Sequence, residues 1–518
     1  MRATNMKNTN SMTRLFLAPM VAVVLLLLTG TAFAATPGIT GPTFNLTAQP
    51  AFITQPDGSL VYSWGYGCTS APSGFAPASI AGGTCSNMQV PGPTLIVQQG
   101  QSVSVTLTNN LPVAAGNTSI LFPGFIVTTS GGVAGLLTQE AAPGNPVTYT
   151  FTATTPGTRS YYSGTQGDLQ VEMGLYGAII VVPSGIPTAC TSGVHSSNEA
   201  AQASHGEGNF RLAAAAYNHA GACYDREYLF QFSEMDPRIH REAEEQSTRT
   251  CTGCLNVATE PYVPAYFMVN GRSMPDDMDG NYAPQYPHQP YNGNPHMHPG
   301  ELVLLRIVGQ GRWQHPFHEH GNHVRVLARD GNLILSATDA NSLAGPLLFT
   351  TTTTPGQAID GIFYWTGKGM NWDEYGHGAG VTTATCTPDE NGYNTGSPTA
   401  INYFEWCQDH NKPMQTAPFG SVGGGGPVSL PDPNILANGA WYGGSPYLGP
   451  EATIRAVGST GTTPPSGTVA NSPTGEAGFA FMWHSHNERE ITTNNVFPGG
   501  MLMMMMVDSR EFVIDETN

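Results

Sequence analysis

Residues 94–107 read Thr-Leu-Ile-Val-Gln-Gln-Gly-Gln-Ser-Val-Ser-Val-Thr-Leu: an apolar run, a break that ends in glycine, and then alternating polar and apolar residues. Val103, Val105 and Leu107 are spaced two apart, the period at which side chains share one face of a half-buried strand. Because similar short strands recur on both sides of this segment, the sequence predicts a compact all-β domain over residues 35–183.

A second set of strand patterns follows after residues 184–224, a segment rich in Ala, Ser, Gly and His that is predicted to be a linker. The clearest patterns are Glu227–Phe232, Tyr266–Asn270 and Leu302–Val308. The second β domain is therefore predicted over residues 225–518. Two long insertions interrupt it, at about 276–299 and 370–473, and loops of this length usually cover a site, form an interface or lack order.

Composition agrees with an all-β chain and excludes one class of partner. Charged residues make up only 11% of the 518 residues, and the chain contains 62 Gly and 41 Pro, which suits many strands joined by turns and loops. The formal net charge of −18 repels phosphate backbones, so nucleic acid is excluded as an expected partner.

The first 34 residues have the pattern of a signal peptide. Basic residues precede the apolar run Leu15–Leu28, and Ala32-Phe33-Ala34 has the small-x-small pattern of a cleavage site. The apolar run is too short for a comfortable membrane span, and no later segment is long and apolar enough. We therefore expect an exported protein, periplasmic or extracellular, without a membrane span.

Eight cysteines fit an oxidising compartment and suggest disulfides. Pairing between sequence neighbours predicts Cys68–Cys85, Cys190–Cys223, Cys251–Cys254 and Cys386–Cys407. The Cys251-Thr-Gly-Cys254 segment has two interpretations, a redox CxxC pair or a tight loop disulfide. The second is favoured because no βαβ pattern surrounds the segment.

The segment His315-Pro-Phe-His-Glu-His-Gly321 contains the most informative histidines. On a strand, His318 and His320 face the same way, and His484 and His486 form a second same-face pair within Trp483-His-Ser-His486. If the two strands are neighbours, four imidazoles converge, a donor set that suits copper, zinc, iron or nickel.

These motifs resemble those of the multicopper oxidase family. His315–Gly321 is similar to the third histidine motif of that family and Trp483–His486 to its fourth, and further similar stretches are Val90–Val97, Met173–Gly177, Val269–Gly271 and Thr354–Asp360. The spacing resembles the two-domain branch. The resemblance implies two cupredoxin-like Greek-key β-sandwich domains with long loop insertions, copper-dependent oxidation, and a homotrimer with copper between subunits.

The first domain departs from the family pattern. Where the family has its first histidine pair this sequence has Leu121 and Pro123, and where the second pair would stand it has Tyr162 and Gly164. These motifs supply half of the imidazoles of the family's trinuclear copper cluster. An ordinary trinuclear cluster is therefore not expected.

The blue-copper (type 1) ligands also depart from the pattern. Ser485 stands where the family has its cysteine, and a hydroxyl cannot replace a soft thiolate. Glu490 stands at the position of the later histidine. His315 matches the remaining blue-site histidine, and Met501 matches the axial methionine with an insertion before it. We therefore expect no type 1 copper.

The remaining candidate ligands are His318, His320, His484 and His486. They match the family's type 2 and type 3 positions and predict a reduced, mononuclear site for copper, with zinc as the alternative. Glu488 and Glu490 would share the face of His484 and His486 if the strand continues; alternatively, Glu490 lies in a solvated loop. His315 and Met501 are weaker candidates.

Two functions follow from this reading. The first is a copper-binding oxidoreductase whose electrons come directly from a small-molecule or metal-ion substrate or from a redox protein. The second is a non-catalytic extracellular module that uses the same scaffold for metal binding or assembly. The sequence identifies no catalytic residue and no substrate.

Overall fold

The computed structural model describes residues 36–79, 83–368, 387–408, 479–508, 510 and 512–514. Backbone alone is described for 414–416, 425–427, 444–448, 453–454, 469–470 and 477–478. The predicted signal peptide lies outside the described residues, as does most of the predicted insertion at 370–473.

The first domain pairs two β-sheets. One sheet has the order β11-β12-β5-β1-β4 and the other β3-β2-β6-β10-β7. The strands of this domain are β1 Gly38–Thr40, β2 Thr43–Thr54, β3 Leu60–Cys68, β4 Phe75–Ala76, β5 Leu95–Gln98, β6 Ser102–Asn109, β7 Thr128–Gly131, β8 Val133–Ala134, β9 Gln139–Glu140, β10 Pro146–Thr152, β11 Gly157–Tyr162 and β12 Tyr176–Val182. The alternation noted at 103–107 places Val103, Val105 and Leu107 in the core between the sheets.

The second domain repeats this plan with larger sheets. One has the order β14-β13-β16-β22-β18-β19 and the other β15-β29-β28-β17-β21. Its strands are β13 Arg226–Met235, β14 Tyr266–Val269, β15 His296–Met297, β16 Leu302–Gly309, β17 Pro316–Glu319, β18 Val324–Arg329, β19 Asn332–Leu333, β20 Leu347–Leu348, β21 Thr350–Thr352, β22 Ala358–Tyr364, β23 Met414–Thr416, β24 Gly425–Pro427, β25 Gly444–Leu448, β26 Thr453–Ile454, β27 Val469–Ala470, β28 Ala477–Ser485 and β29 Leu502–Asp508. The predicted all-β fold is confirmed.

Helices are few and short among the described residues. They are α1 Gly167–Gln170, α2 Val194–Ser204 and α3 Pro237–Gln246. Asp236 caps α3 by accepting a hydrogen bond from the Arg238 amide, and Pro237 starts the helix without a donor to satisfy. Ile239 and Ala243 of α3 lie in the apolar core of the first domain, so this helix interlocks the two domains.

The segment predicted to be a linker, 184–224, is more ordered than its composition suggests. It contains α2, and its ends are joined by the Cys190–Cys223 disulfide. His195 Nδ1 lies 2.8 Å from Asp225 Oδ1. These contacts come from residues distant in sequence, which local periodicity does not report.

Three predicted disulfides are present, Cys68–Cys85, Cys190–Cys223 and Cys251–Cys254. Cys407 is also disulfide-bonded, whereas its predicted partner Cys386 lies outside the described residues. The described part of the chain contains no helix that is long and apolar enough to cross a membrane.

Candidate metal centre

Strands β17 and β28 lie side by side and carry the predicted histidines. They pair antiparallel, with His318 directly opposite His484 and Phe317 opposite Ser485. Gly321 has a φ of 101°, a conformation that favours glycine and that turns the chain just after His320. The register therefore brings both HxH pairs to one face of the sheet.

The four imidazoles form one cluster. One ligand nitrogen from each of His318, His320 and His484 lies within 4.8 Å of the others, and His484 Nε2 is 3.3 Å from His320 Nε2. The His486 ring lies 4.9 Å from that of His318, centroid to centroid, and its side chain is 55% exposed. The cluster is thus enclosed by the sheet on one side and accessible to solvent at His486.

Outer hydrogen bonds orient two of the rings. His484 Nδ1 lies 2.7 Å from the Ser485 carbonyl oxygen, and because a carbonyl only accepts, this nitrogen must donate. In the neutral ring Nε2 then carries a lone pair, which faces His320. His318 Nδ1 lies 2.9 Å from Thr350 Oγ1. Such contacts at the far ring nitrogen are the usual support of histidine metal ligands.

The surroundings keep these rings in the neutral, metal-binding form. Burial and the neighbouring His320 lower the pKa of His318 to about 4. Burial also lowers the pKa of His484, and the nearby His486 acts in the same direction. Convergent neutral imidazoles with a lone pair directed at a neighbouring ring nitrogen fit a copper ion well.

His315 takes no part in this cluster. It is fully buried between two carboxylates, with Nε2 3.0 Å from Glu234 Oε2 and Nδ1 2.9 Å from Glu490 Oε2. Burial alone would lower the pKa of His315, but the hydrogen bonds and charges of the two carboxylates outweigh it and raise the pKa to about 9. His315 is therefore an imidazolium in an ion triad, Glu234–His315–Glu490.

Ser485 belongs to the same network, on the face of β28 opposite to the histidines. Its hydroxyl donates to Glu490 Oε2 at 2.5 Å, and Asn487 Nδ2 donates to Glu490 Oε1 at 2.8 Å. Glu490 is fully buried, so its expected alternative position in a solvated loop is wrong. Nor does Glu490 join His484 and His486 as a fourth donor, because its carboxylate faces the other side of the strand.

The other weak candidates lie apart from the four rings or at their edge. Met501 is buried in the apolar core of the second domain, with its backbone bonded to Ser485 and Glu490. Glu488 is exposed, and its Oε1 lies 3.5 Å from His486 Nδ1. Sequence reasoning did not single out Glu234 or Thr350. An acidic residue near the end of the predicted strand at β13 was the available signal for Glu234.

The positions that lack histidine in the first domain are closed by side-chain packing. Leu121 and Tyr162 form an antiparallel bridge. A Cβ at Gly164 would lie 2.8 Å from the Leu121 side chain, so leucine covers that position. Pro123 is half-buried. These four residues offer no imidazole, and apolar contact occupies the space between them.

One segment of the chain is similar to a known family. Residues 76–185 match the family model described as "Multicopper oxidase". Over this part of its length the chain is similar to multicopper oxidases. This similarity supports copper as the metal and gives no support to the zinc alternative.

The relatives are similar to limited parts of the chain. It is 33% identical over 117 residues to multicopper oxidase MCE of Talaromyces pinophilus, which is 22% of this chain and 19% of that protein. It is 30% identical over 162 residues to laccase 1 of Metarhizium robertsii, 31% of this chain and 22% of that protein. The matched stretches thus span about a fifth of these relatives. A blue copper oxidase from Nitrosomonas europaea is similar at 15% identity, with a TM-score of 0.45, over 90% of this chain and 85% of its own.

Proposed function

We propose that this protein is a copper-binding oxidoreductase that uses one mononuclear site, with fewer ligands than the family's copper clusters, made by His318, His320, His484 and His486. The observation that carries the proposal is the convergence of ring nitrogens from His318, His320 and His484 within 4.8 Å of one another. Imidazole donors of this kind hold copper in both of its common oxidation states.

We further propose that the protein has no type 1 copper. The residues at the family's blue-site positions are engaged with each other: His315 is bonded through both nitrogens, and the Ser485 hydroxyl donates to Glu490. A copper ion there would have to displace an ion triad without gaining a thiolate. This argument supports direct delivery of electrons to the histidine cluster.

Copper bound at the cluster would supply one-electron redox chemistry. The chain's own residues would then hold and expose the site. Thr350 and the Ser485 carbonyl fix the rings of His318 and His484, and half-exposed His486 leaves a side through which a small molecule or metal ion can approach. The acidic chain, of net charge −18, favours cationic substrates and basic redox proteins.

A non-catalytic metal-binding or assembly module is the second candidate function. It is favoured by the first domain, where Leu121 packs over Gly164 and pairs with Tyr162, so that no space for a metal centre is kept there. A scaffold that retained only four histidines would bind a metal ion without the relay that the family's oxidation chemistry uses.

We also propose that the protein is exported and that it forms a homotrimer. Three disulfides among the described residues support an oxidising compartment, outside the cell or in the periplasm. Ile126, Leu136 and Leu137 are 92%, 92% and 64% exposed, a degree of apolar exposure that supports contact between copies of the chain. Light scattering of the purified protein measures the number of subunits.

The deciding experiment measures metal content and paramagnetic resonance on protein purified from copper-supplemented periplasm. We expect about one copper per chain, with a type 2 signal, in line with a single four-imidazole site. The double variant His318→Ala/His320→Ala should lose both, whereas the control His323→Ala, whose ring packs on Phe349 outside the cluster, should keep both. Zinc, or no metal in a folded protein, would overturn the oxidoreductase and favour the module.

A further inference from the structure

The Cys251–Cys254 disulfide differs from the others in its exposure. Cys251 is exposed and Cys254 half-buried, whereas Cys190 and Cys223 are 1% and 3% exposed. Thiol–disulfide exchange requires a thiolate to approach one sulfur along the S–S axis. Among the cysteines of the disulfides described here, Cys251 is the most exposed residue.

Among the three disulfides with both cysteines described, this one closes the shortest loop. Its cysteines are only 3 positions apart in sequence, against 17 and 33 for the other two described pairs. The constraint that a disulfide places on the unfolded chain grows with the length of the closed loop. The Cys251–Cys254 bond thus contributes the smallest such constraint.

The loop is held in place without the disulfide. Gly253 and Leu255 donate backbone hydrogen bonds to the carbonyls of Val113 and Ala114 in the first domain, both at 3.1 Å. Gln246 at the end of α3 completes the attachment, because its side chain donates to the Asn256 carbonyl and accepts from the Asn256 amide. Reduction would therefore leave the loop where it is.

A cation lies beside the cysteine that would leave. Arg249 Nη1 donates to the Cys254 carbonyl oxygen at 3.0 Å, so the guanidinium is next to the residue whose sulfur would be released as a thiolate. A neighbouring guanidinium stabilises a thiolate, and a better leaving thiolate leaves faster. Arg241 lies on the same open surface depression but makes no contact with the loop among those described.

We propose that Cys251–Cys254 is a thiol–disulfide exchange site for external dithiols, independent of the histidine cluster. The external thiolate bonds to Cys251 Sγ, and the Cys251–Cys254 bond breaks with Cys254 leaving as a thiolate beside Arg249. The second thiol of the reductant attacks the mixed disulfide and releases Cys251. The dithiol loses two electrons, and its two protons end on Cys251 and Cys254.

The test uses the folded full chain with dithiothreitol as the dithiol, followed by alkylation and mass spectrometry of each cysteine. We expect Cys251 and Cys254 to be labelled at least roughly tenfold faster than Cys190 and Cys223, because access governs the rate, with an unchanged circular dichroism spectrum. Labelling at the rate of the buried pair, or only together with loss of the spectrum, would overturn the proposal.

Two arginine variants test the leaving-group role. Arg249→Gln should slow labelling roughly threefold, since it removes the positive charge that is bonded to the Cys254 carbonyl, in the residue that leaves as a thiolate. Arg241→Gln, on the same surface, should leave the rate unchanged. Equal rates for wild type and Arg249→Gln would refute the assigned role of Arg249.

Discussion

The ion triad Glu234–His315–Glu490 makes a quantitative prediction about stability. His315 is fully buried, and its pKa of about 9 compares with an ordinary value of 6.5. That difference corresponds to about 3 kcal/mol of folding free energy. Because the folded pKa is the raised one, this stabilisation is fully present below pH 6.5 and is lost as the pH rises through 9.

The perturbation is His315→Gln, which keeps hydrogen-bonding capacity and removes the charge. Urea unfolding followed by tryptophan fluorescence between pH 6 and pH 10 gives the free energy of unfolding of each protein. Wild type should lose about 3 kcal/mol more than the variant across this range. At pH 6 the variant should be the less stable by about 3 kcal/mol, since two buried carboxylates lose their cation.

The test compares how the free energy of unfolding changes with pH in wild type and in His315→Gln. His323→Gln, which removes a partly exposed histidine outside the triad, is the control and should follow wild type. The wild-type and His315→Gln curves should converge at high pH. Curves that stay a constant distance apart would refute the charged triad and leave only a packing role for His315.

Three further predictions concern strands β17 and β28. Glu319→Gln should stabilise the protein at pH 7 by up to about 3 kcal/mol, measured by urea unfolding. Burial raises the pKa of Glu319 to about 8, although Thr351 donates a hydrogen bond to it. Because the ordinary pKa is 4.5, the wild-type chain must take up a proton when it folds at pH 7, and the glutamine variant does not. Ser485→Cys with copper should give no intense thiolate-to-copper absorption, because His315, which shares Glu490 with Ser485, is held by two carboxylates; a strong visible band would contradict this. Trp483→Ala should cost about 3–5 kcal/mol in unfolding and weaken copper binding in a titration, since the fully buried indole fills the core and donates to the His320 carbonyl; unchanged copper affinity would separate packing from the site.

Local patterns were enough to predict the strands and the shared face of the histidine pairs. A period of two residues fixes which side chains lie together on a strand, and that rule held for His318, His320, His484 and His486 once β17 and β28 proved to be neighbours. The sequence left open whether these strands pair, since periodicity alone cannot select a partner strand.

The same patterns could not predict what His315 contacts. Glu234 is 81 residues away in sequence and Glu490 is 175 away, so only the folded chain brings the three side chains together. The order of α2 escaped notice for a similar reason. The apolar residues of α2 form only a weak stripe along one side of the helix, and its position depends on the contact of His195 with Asp225, 30 residues further along the chain.

The two faces of β28 separate the candidate metal ligands from the ion triad. His484 and His486 point to the outer face with the candidate metal ligands, and Ser485, between them, points to the ion triad on the inner face. Ser485 therefore acts on the inner face only, where the triad ties His315, just before β17, to Glu490 in the segment after β28. Both pairs of candidate ligands are carried by these strands, so the ion triad on the inner face holds the imidazoles of the outer face in register. Loss of the His315 charge should therefore weaken copper binding as well as lower stability.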